Sequence, residues 1–296
     1  MNTFFKFTIY LVIVISIYLQ IKSFKLVSFD ITTSSNRETS TDFKRESCDN
    51  SASIYTENTQ ETEMSTTISA IRQNATKTPA KAAIIFLHGL GDSGQGWSWL
   101  PQLINQTQLI PDAQSINYVF PNAPQLPITV NGGMQMPAWF DIYEFGNPNA
   151  KQDINGFFKS CDVLKSLIQE QIDKFNIPPH KIIIGGFSQG AAISLATVSL
   201  LGYKIGGVVA LSGFCSVGAE LEQRLVKDVN FETPIFQGHG TADPIIAYDF
   251  GKRTSEFYHK LGFKSIKFNT YPGVAHSASE EELIDVVKFL KDIMEK

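Results

Sequence analysis

The chain has 296 residues, of which 43% are apolar and 18% charged, and its 25 basic and 29 acidic residues give a formal net charge of -4. This length allows one large domain or two small ones, and the charge balance excludes a nucleic-acid binder that relies on a clustered excess of Lys and Arg. Three widely separated cysteines exclude a disulfide scaffold, and no CxxC pair indicates structural zinc. Every glycine, proline and tryptophan lies after residue 78, so turn residues and large core anchors begin near residue 80.

The first 65 residues differ in kind from the rest of the chain. Residues 7–21 form a 15-residue run without charge, flanked by lysines. This run is shorter than the roughly 20 residues of a membrane-spanning helix, so it fits the apolar region of a signal peptide or a short signal anchor extended by the lysines. A buried element of the fold is the alternative. Residues 32–63 contain 13 Ser or Thr and 5 apolar residues, too few to offset the entropy lost on ordering.

These observations predict three segments: a signal peptide or signal anchor, a Ser/Thr-rich disordered linker and a single folded domain, at residues 1–25, 26–65 and 66–296. Such a leader predicts membrane association or passage along the secretory route. On that route the sequons at Asn74 and Asn105 would be open to glycosylation.

Within the predicted domain, short apolar runs alternate with amphipathic stretches. Residues 66–73 are predicted to form an antiparallel edge strand, and six apolar runs predict further strands at 82–87, 118–120, 181–187, 207–211, 234–239 and 265–271. Several runs are apolar throughout, as expected for parallel strands covered on both faces. Apolar side chains recur at helical spacing over 154–175, 247–261 and 283–294. The alternation predicts an α/β fold with a mostly parallel central sheet and helices on both faces.

The segment 181–199 carries G-x-S-x-G between an apolar strand and a helix of small residues. That context is typical of a nucleophile elbow, in which the serine lies at a strained tip with its hydroxyl projecting. Side chains in place of Gly186 and Gly190 would collide across the turn. We therefore predict Ser188 as a nucleophile, with an ordinary strand-to-helix turn as the alternative.

A nucleophilic serine needs a base, and the base needs an orienting acid; in sites of this kind the acid and then the histidine follow the serine in the chain. Three histidines follow Ser188. His259 lies in an amphipathic stretch and His239 ends a strand, whereas His276 lies in a loop after a strand and is the predicted base. Asp243 lies in the loop just past a strand, before a proline that stiffens the turn, and is the predicted acid. We expect His239 to support the turn that carries Asp243.

An oxyanion hole needs two backbone N–H donors. One is expected from Gln189, the residue after the nucleophile. The other is expected from Leu90, in the loop 86–92 after the first apolar strand, where glycines let the backbone approach a substrate. His88 is predicted to pin this loop as a structural residue.

Six blocks of the sequence, colinear from about residue 80 onward, resemble the acyl-protein thioesterase / lysophospholipase (phospholipase/carboxylesterase) family of α/β-hydrolases. They are FLHGLGDSG (86–94), PNAP with PITVNGGMQMPAWFDI (121–142), GGFSQGAAISL (185–195), HGTADPII (239–246), GKRT (251–254) and GVAHSA (273–278). The resemblance implies an α/β-hydrolase fold and a serine hydrolase without a cofactor or metal. The leading activity that it implies is that of an acyl-protein thioesterase, which hydrolyses the long-chain acyl thioesters of palmitoylated proteins. Lysophospholipids and simple carboxylic esters are the alternative substrates, and the residues do not separate these.

Carried over by motif, the family's nucleophile, acid, base and two oxyanion donors fall on Ser188, Asp243, His276, Leu90 and Gln189. The resemblance also implies an acyl-binding groove lined by Met136, Trp139 and Phe140; read without the family, the same apolar cluster equally fits a core. The order of the triad argues against a non-catalytic acyl-binding protein, the other class considered. Family members are usually cytosolic, so a cytoplasmic location is the alternative to a membrane-associated one.

Overall fold

The computed structural model describes residues 68–145 and 150–295. The leader and linker predicted over 1–25 and 26–65 therefore lie outside the described residues. Nine strands are present among those described: β1 Ala70–Gln73, β2 Ala82–Leu87, β3 Ile116–Pro121, β4 Gln125–Ile128, β5 Met134–Pro137, β6 Ile182–Phe187, β7 Gly207–Leu211, β8 Ile235–Gly240 and β9 Ile266–Tyr271. Six α-helices accompany them in that part of the chain: α1 Leu100–Thr107, α2 Ile154–Phe175, α3 Gln189–Leu200, α4 Gly218–Arg224, α5 Tyr248–Leu261 and α6 Glu280–Met294.

Seven of the strands form one sheet in the order β1-β3-β2-β6-β7-β8-β9, and β4 pairs with β5 in a separate hairpin. Only the β1–β3 pair of the large sheet is antiparallel. The predicted edge strand is thus present, four residues long, and it is tied to α2 by a bidentate ion pair between Arg72 and Glu170. The predicted α/β-hydrolase architecture, with a mostly parallel central sheet, is confirmed.

Two apolar layers cover the sheet, one on each face. On one face the helices α2, α3, α4 and α5 pack against it through side chains such as Leu164, Ile193 and Tyr258. On the other face α1 and α6 do so, through side chains such as Ile104 and Val287. Each fully buried aliphatic side chain of this kind stabilises the fold by roughly 1.5–3 kcal/mol. Strands covered on both sides explain why their sequences are apolar throughout.

The sequence accounts for the ends of α2 and for the burial of α3. α2 occupies the predicted 154–175; Asp153 caps its start by accepting from the Gly156 N–H, and Asn176 ends it in the left-handed conformation (φ 54°). α3 is buried around its whole circumference from Gln189 to Ser199, which small and apolar residues on every side permit.

The loops that follow β2, β6, β8 and β9 all leave the sheet at the carboxyl ends of parallel strands, and therefore at one edge. Those loops, together with the first residue of α3, carry every residue that the sequence predicts for the triad and the oxyanion hole. In residues 68–145 and 150–295, we find no helix with the length and apolar character needed to cross a bilayer.

Candidate active site

Ser188 lies between β6 and α3 in a backbone conformation that L-residues rarely adopt, with φ 54° and ψ -115°. Its N–H donates to the Leu211 carbonyl (2.9 Å), and its own carbonyl accepts from the Ala192 N–H (3.0 Å). A Cβ at Gly186 would overlap the backbone of Gly190, and one at Gly190 would overlap the Leu87 carbonyl. The turn is therefore tight because strand and helix approach each other without intervening side chains, and the serine lies at its strained tip.

The three predicted triad side chains lie in hydrogen-bonding contact. The distance from His276 Nε2 to Ser188 Oγ is 3.1 Å, and that from His276 Nδ1 to Asp243 Oδ2 is 2.7 Å. The Asp243 side chain is fully buried, and that of His276 is 12% exposed. Because the Asp243 carboxylate accepts, the contact at Nδ1 corresponds to the tautomer in which Nδ1–H donates to Asp243 and Nε2 faces the serine hydroxyl. The arrangement matches a serine, its base and the acid that orients the base.

Asp243 is held as a carboxylate. Burial by itself raises the pKa of Asp243, but the hydrogen bond and charge of His276 and two backbone donors outweigh burial and leave the pKa below its usual value. The two donors are the N–H groups of Ile245 and Ile246, both 2.9 Å from Oδ1. One oxygen is thus fixed by its own loop, and the other remains for the imidazole.

His239 supports the turn that carries Asp243, the position that the sequence predicts for it. Its Nε2–H donates to the Ile246 carbonyl (2.8 Å), and the same nitrogen lies 3.5 Å from Asp243 Oδ2. Burial lowers the pKa of His239, against the opposing effects of that carbonyl and the Asp243 charge. A neutral imidazole at this position leaves the Asp243 charge to interact with His276.

His259 and His88 also occupy the predicted environments. His259 is exposed on α5. His88 is fully buried, and its Nδ1–H donates to the Gly89 carbonyl (2.7 Å) while its Nε2 accepts from the Ala123 N–H (3.0 Å). Burial lowers the pKa of His88 to about 4, so the neutral ring pins the loop after β2.

The two predicted oxyanion donors belong to two segments that lie next to Ser188. Gln189 is the first residue of α3, where an N–H group has no acceptor within the helix. A Cβ at Gly89 would come within 3.3 Å of Ser188 Cβ, so the loop that carries Leu90 runs beside Ser188. Within the described part of the chain, the Leu90 N–H donates to no protein acceptor. Both N–H groups are thus available to a substrate oxygen.

The three predicted groove residues divide into two environments. Trp139 is 1% exposed and Phe140 is packed against Phe157, with ring centroids 4.9 Å apart. Both therefore belong to the core, which is the alternative that the residues alone leave open. Met136 lies in a small cluster with Leu90 at the β4–β5 hairpin, and its side-chain end lies 3.0 Å from the position of a Cβ on Gly91. It remains the groove candidate beside the oxyanion loop.

Two features of the site were not predicted. The Gln189 side chain is buried and hydrogen-bonded to the backbone of Trp139 and Phe140, and no sequence pattern indicates this. Glu282 is buried near Asp243, and one carboxyl oxygen has no hydrogen-bond partner among the described residues. The pattern Ser279-x-x-Glu282 is a capping box and indicates the start of a helix, but it does not indicate burial of the carboxyl group.

Fold and site together define an esterase-type α/β-hydrolase. The chain belongs to the phospholipase/carboxylesterase family, whose model matches residues 68–294.

Relatives and solved structures agree with this family. The acyl-protein thioesterase 1 of Candida albicans is 70% identical over 231 residues, which are 77% of this chain and 99% of that protein. The acyl-protein thioesterase 1 of Saccharomyces cerevisiae is 46% identical over 226 residues, 76% of this chain and 98% of that one. The crystal structure of Zea mays acyl-protein thioesterase 2 is similar with a TM-score of 0.66 at 27% identity, covering 77% of this chain and 99% of that chain. Arabidopsis thaliana SOBER1 gives 0.67 at 29%, covering 73% and 100%.

Proposed function

We propose that the protein is a serine hydrolase that cleaves acyl thioesters of acylated proteins, with Ser188 as nucleophile. The observation that carries the proposal is the unbroken hydrogen-bond chain from Asp243 through His276 to Ser188, at 2.7 and 3.1 Å. Each member comes from a different loop at one edge of the sheet, so the contact is a product of the fold and not of sequence proximity.

In the proposed reaction, His276 Nε2 accepts the Ser188 proton as Oγ attacks the acyl carbonyl carbon. The N–H groups of Leu90 and Gln189 donate to the oxygen that becomes negatively charged. Asp243 stabilises the imidazolium, which then gives its proton to the leaving thiol or alcohol. Water, activated by the same imidazole, attacks the acyl-serine and releases the fatty acid, which regenerates the hydroxyl of Ser188.

The choice of protein thioesters as substrates is supported by the names of the relatives. Two relatives named acyl-protein thioesterase 1 are 70% and 46% identical to this chain, and the match covers nearly the whole length of each relative. Hydrolysis of lysophospholipids or simple carboxylic esters is the second candidate, favoured by the family's description as phospholipase/carboxylesterase. In an apolar groove, each buried methylene of the acyl chain adds roughly 0.8 kcal/mol to the binding free energy, so chains of different length are distinguished. Such a groove distinguishes a thioester from an oxygen ester poorly.

The test compares Ser188→Ala with the unmodified chain on a p-nitrophenyl acyl ester, a palmitoyl thioester and a lysophospholipid. Loss of the nucleophile is expected to lower kcat by about 10⁶-fold on every substrate that the site cleaves. A fluorophosphonate is expected to label the unmodified chain and not the variant. Retention of more than a few per cent of activity by Ser188→Ala would exclude the assignment. Faster turnover of the lysophospholipid than of the thioester would favour the second candidate.

The proposed catalytic unit is residues 66–296, behind a leader at 1–25 and a linker at 26–65. The proposal for the leader rests on the 15-residue apolar run, which would place the enzyme at a membrane or on the secretory route; a cytoplasmic location is the alternative. Acylated proteins at a membrane surface are the proposed partners.

A further inference from the structure

The two proposed oxyanion donors belong to different parts of the chain, and Trp139 lies between them. Its backbone N–H donates to Gln189 Oε1 (3.0 Å), and Gln189 Nε2 donates to the next carbonyl, that of Phe140 (2.9 Å). The Gln189 amide therefore pairs with this stretch of backbone through a donor and an acceptor at once, much as a neighbouring strand would. The first residue of α3 is fixed to the segment after the β4–β5 hairpin.

The same tryptophan also holds the opposite loop. Its indole Nε1–H donates to the His88 carbonyl (2.8 Å), two residues before Leu90. A second bond runs in parallel, from the Gly91 N–H to the Pro137 carbonyl (2.8 Å). The loop that carries the Leu90 N–H is thus attached to the same segment as Gln189, through contacts on both sides of Leu90.

These bonds are shielded from water. Trp139 and Gln189 are each 1% exposed, and His88 is fully buried. In such surroundings a broken hydrogen bond leaves a polar group unpaired, which is costly. The hydroxyl of Ser160 additionally donates to the Trp139 carbonyl, so the backbone of residue 139 is held on both its N–H and its C=O side.

We propose that Trp139 is a positioning residue that sets the spacing between the Leu90 and Gln189 N–H groups across the nucleophile. The proposal rests on the proposed function, since it concerns how the oxyanion donors are held and not whether they act. Neither indole nor amide side chain touches the reacting atoms. Their effect is to fix two donors that the sequence places 99 positions apart.

The first test is Trp139→Phe in the full-length chain, which removes the indole donor and keeps an aromatic ring. A displacement of about 1 Å in a donor costs catalysis on the order of 100-fold. We therefore expect kcat on a p-nitrophenyl acyl ester to fall by about 10- to 100-fold, with KM changed by less than about two-fold. Affinity for a trifluoromethyl ketone, which forms a tetrahedral adduct on the serine, is expected to fall by the same factor as kcat/KM.

Active-site titration with a fluorophosphonate separates positioning from folding, because it counts intact sites. A merely structural role for Trp139 predicts fewer labelled sites with unchanged kcat per site, and that result would overturn the inference while the proposed function stood. If the unmodified chain is neither labelled nor active, the proposed function itself fails.

A second variant, Gln189→Met, keeps the side-chain length and the backbone N–H but removes the pairing with Trp139 and Phe140. It too is expected to lower kcat and leave KM unchanged. Since both variants loosen one network, their losses in the double variant are expected to be smaller than the product of the single losses. Losses that multiply would mean that the two side chains act independently, contrary to the proposal.

Trp99→Phe is the matched control. Its indole also donates to a carbonyl, that of Gly96 (2.6 Å), but within its own turn. Trp99→Phe removes the same indole atoms as Trp139→Phe but leaves the hydrogen bonds of Trp139 in place. The kcat per labelled site is therefore expected to stay within about two-fold of the unmodified value. A drop equal to that of Trp139→Phe would overturn the inference.

Discussion

At the scale of the residue, Asp243 has two oxygens with different partners. Oδ1 accepts from the N–H groups of Ile245 and Ile246, and Oδ2 accepts from His276. The first pair fixes the carboxylate in its own turn, and the second contact selects the imidazole tautomer that leaves Nε2 facing the serine. Hydrogen bonds and charge that overcome burial keep the pKa of this carboxyl below its usual value, so it stays ionised wherever the enzyme is folded and near neutral pH.

Asp243→Asn tests this arrangement. An amide at this position presents an N–H group or an oxygen with no charge, and the imidazole loses its selected tautomer. We expect kcat to fall on the order of 10⁴-fold with little change in KM. The control is Asp249→Asn on the exposed first turn of α5, which is expected to leave kcat unchanged. If Asp243→Asn kept a tenth of the activity, the assigned acid would be wrong.

Individual residues could be predicted where a local pattern carries their chemistry. Ser188 has its motif, and Asp243 and His276 lie in loops after strands in the expected order. Trp139 could not be placed in this way, because its contact with the His88 carbonyl depends on how the β4–β5 hairpin returns the chain across the loop after β2. The hydrogen bonds of the Gln189 side chain could not be predicted from the sequence for the same reason.

At the scale of the element, the nucleophile elbow depends on the close approach of β2, β6 and α3. A side chain on Gly190 would overlap the Leu87 carbonyl, which belongs to the strand next to the one that carries the serine. The glycine therefore serves strand-to-helix packing as well as the turn itself.

Gly190→Ala is expected to push α3 away from β2. Overpacking of this kind costs about 1–3 kcal/mol of the free energy of unfolding, which urea denaturation would measure, and kcat would fall because Ser188 and the Gln189 N–H move with the helix. Gly202→Ala is the control, since a Cβ there meets nothing within 4 Å. Equal stabilities for the two variants would contradict this account of the elbow.

The start of α6 brings a carboxyl group into the core. Ser279 caps the helix by accepting from the Glu282 N–H, and the Glu282 side chain lies against Gly238 with 1% of the residue exposed. Burial raises the pKa of Glu282 to about 8, and the Ser279 N–H opposes that shift only in part. The residue is therefore protonated at neutral pH.

Glu282→Gln is expected to stabilise the protein at alkaline pH. Glutamates in the unfolded chain titrate near 4.5 and Glu282 in the native state near 8. Between these values the native state holds the extra proton, so its stability falls as pH rises. A glutamine mimics the protonated acid, preserves the capping box and removes that dependence.

The measurement is the free energy of unfolding at a series of pH values from 5 to 9. Relative to the unmodified chain, the variant is expected to gain about 4 kcal/mol across this range. Glu281→Gln, on the exposed neighbour, serves as control for the loss of a carboxyl group from the same helical turn without a change in the core. A flat difference for Glu282→Gln would mean that the carboxyl is ionised in the native state.

The elements predicted best are those that are long or apolar throughout. α2 and the central strands are recovered to within a residue or two, whereas β3 extends the predicted 118–120 to Ile116–Pro121. α1 and α4 have eight and seven residues, too few for a helical period to stand out. The β4–β5 hairpin has exposed and buried residues in no strict alternation, so its sequence does not indicate strands.

At the scale of the whole molecule, helices cover both faces of one sheet. The loops that carry the site therefore lie at the edge formed by the carboxyl ends of the parallel strands. Glycine and proline begin only at residue 79, whereas the domain is predicted from residue 66 with an edge strand at 66–73, and the first described strand starts at Ala70. This strand precedes the turn-rich part of the chain, and it is stabilised by pairing with β3 and by Glu170 on α2, contacts distant in sequence.

A chain that begins at residue 66 is expected to fold and to keep kcat/KM within about two-fold, because the described packing involves residues from 68 onward.

In a eukaryotic host, the full-length chain is expected to sediment with membranes and the shortened chain to stay in the supernatant. Asn74 and Asn105 are both exposed, so passage through the secretory route predicts a glycosidase-sensitive shift in electrophoretic mobility. A full-length chain that needs no detergent and shows no such shift would support the cytoplasmic alternative.

The strained backbone at Ser188 has a consequence for the stability of variants at this position. A residue held at such a φ and ψ costs on the order of 1–3 kcal/mol, which the surrounding strand and helix offset. Glycine adopts such a conformation without this cost, so Ser188→Gly is expected to be more stable than Ser188→Ala. Comparing the thermal midpoints of these two variants, both expected to be inactive, would measure the strain that a side chain at this position carries.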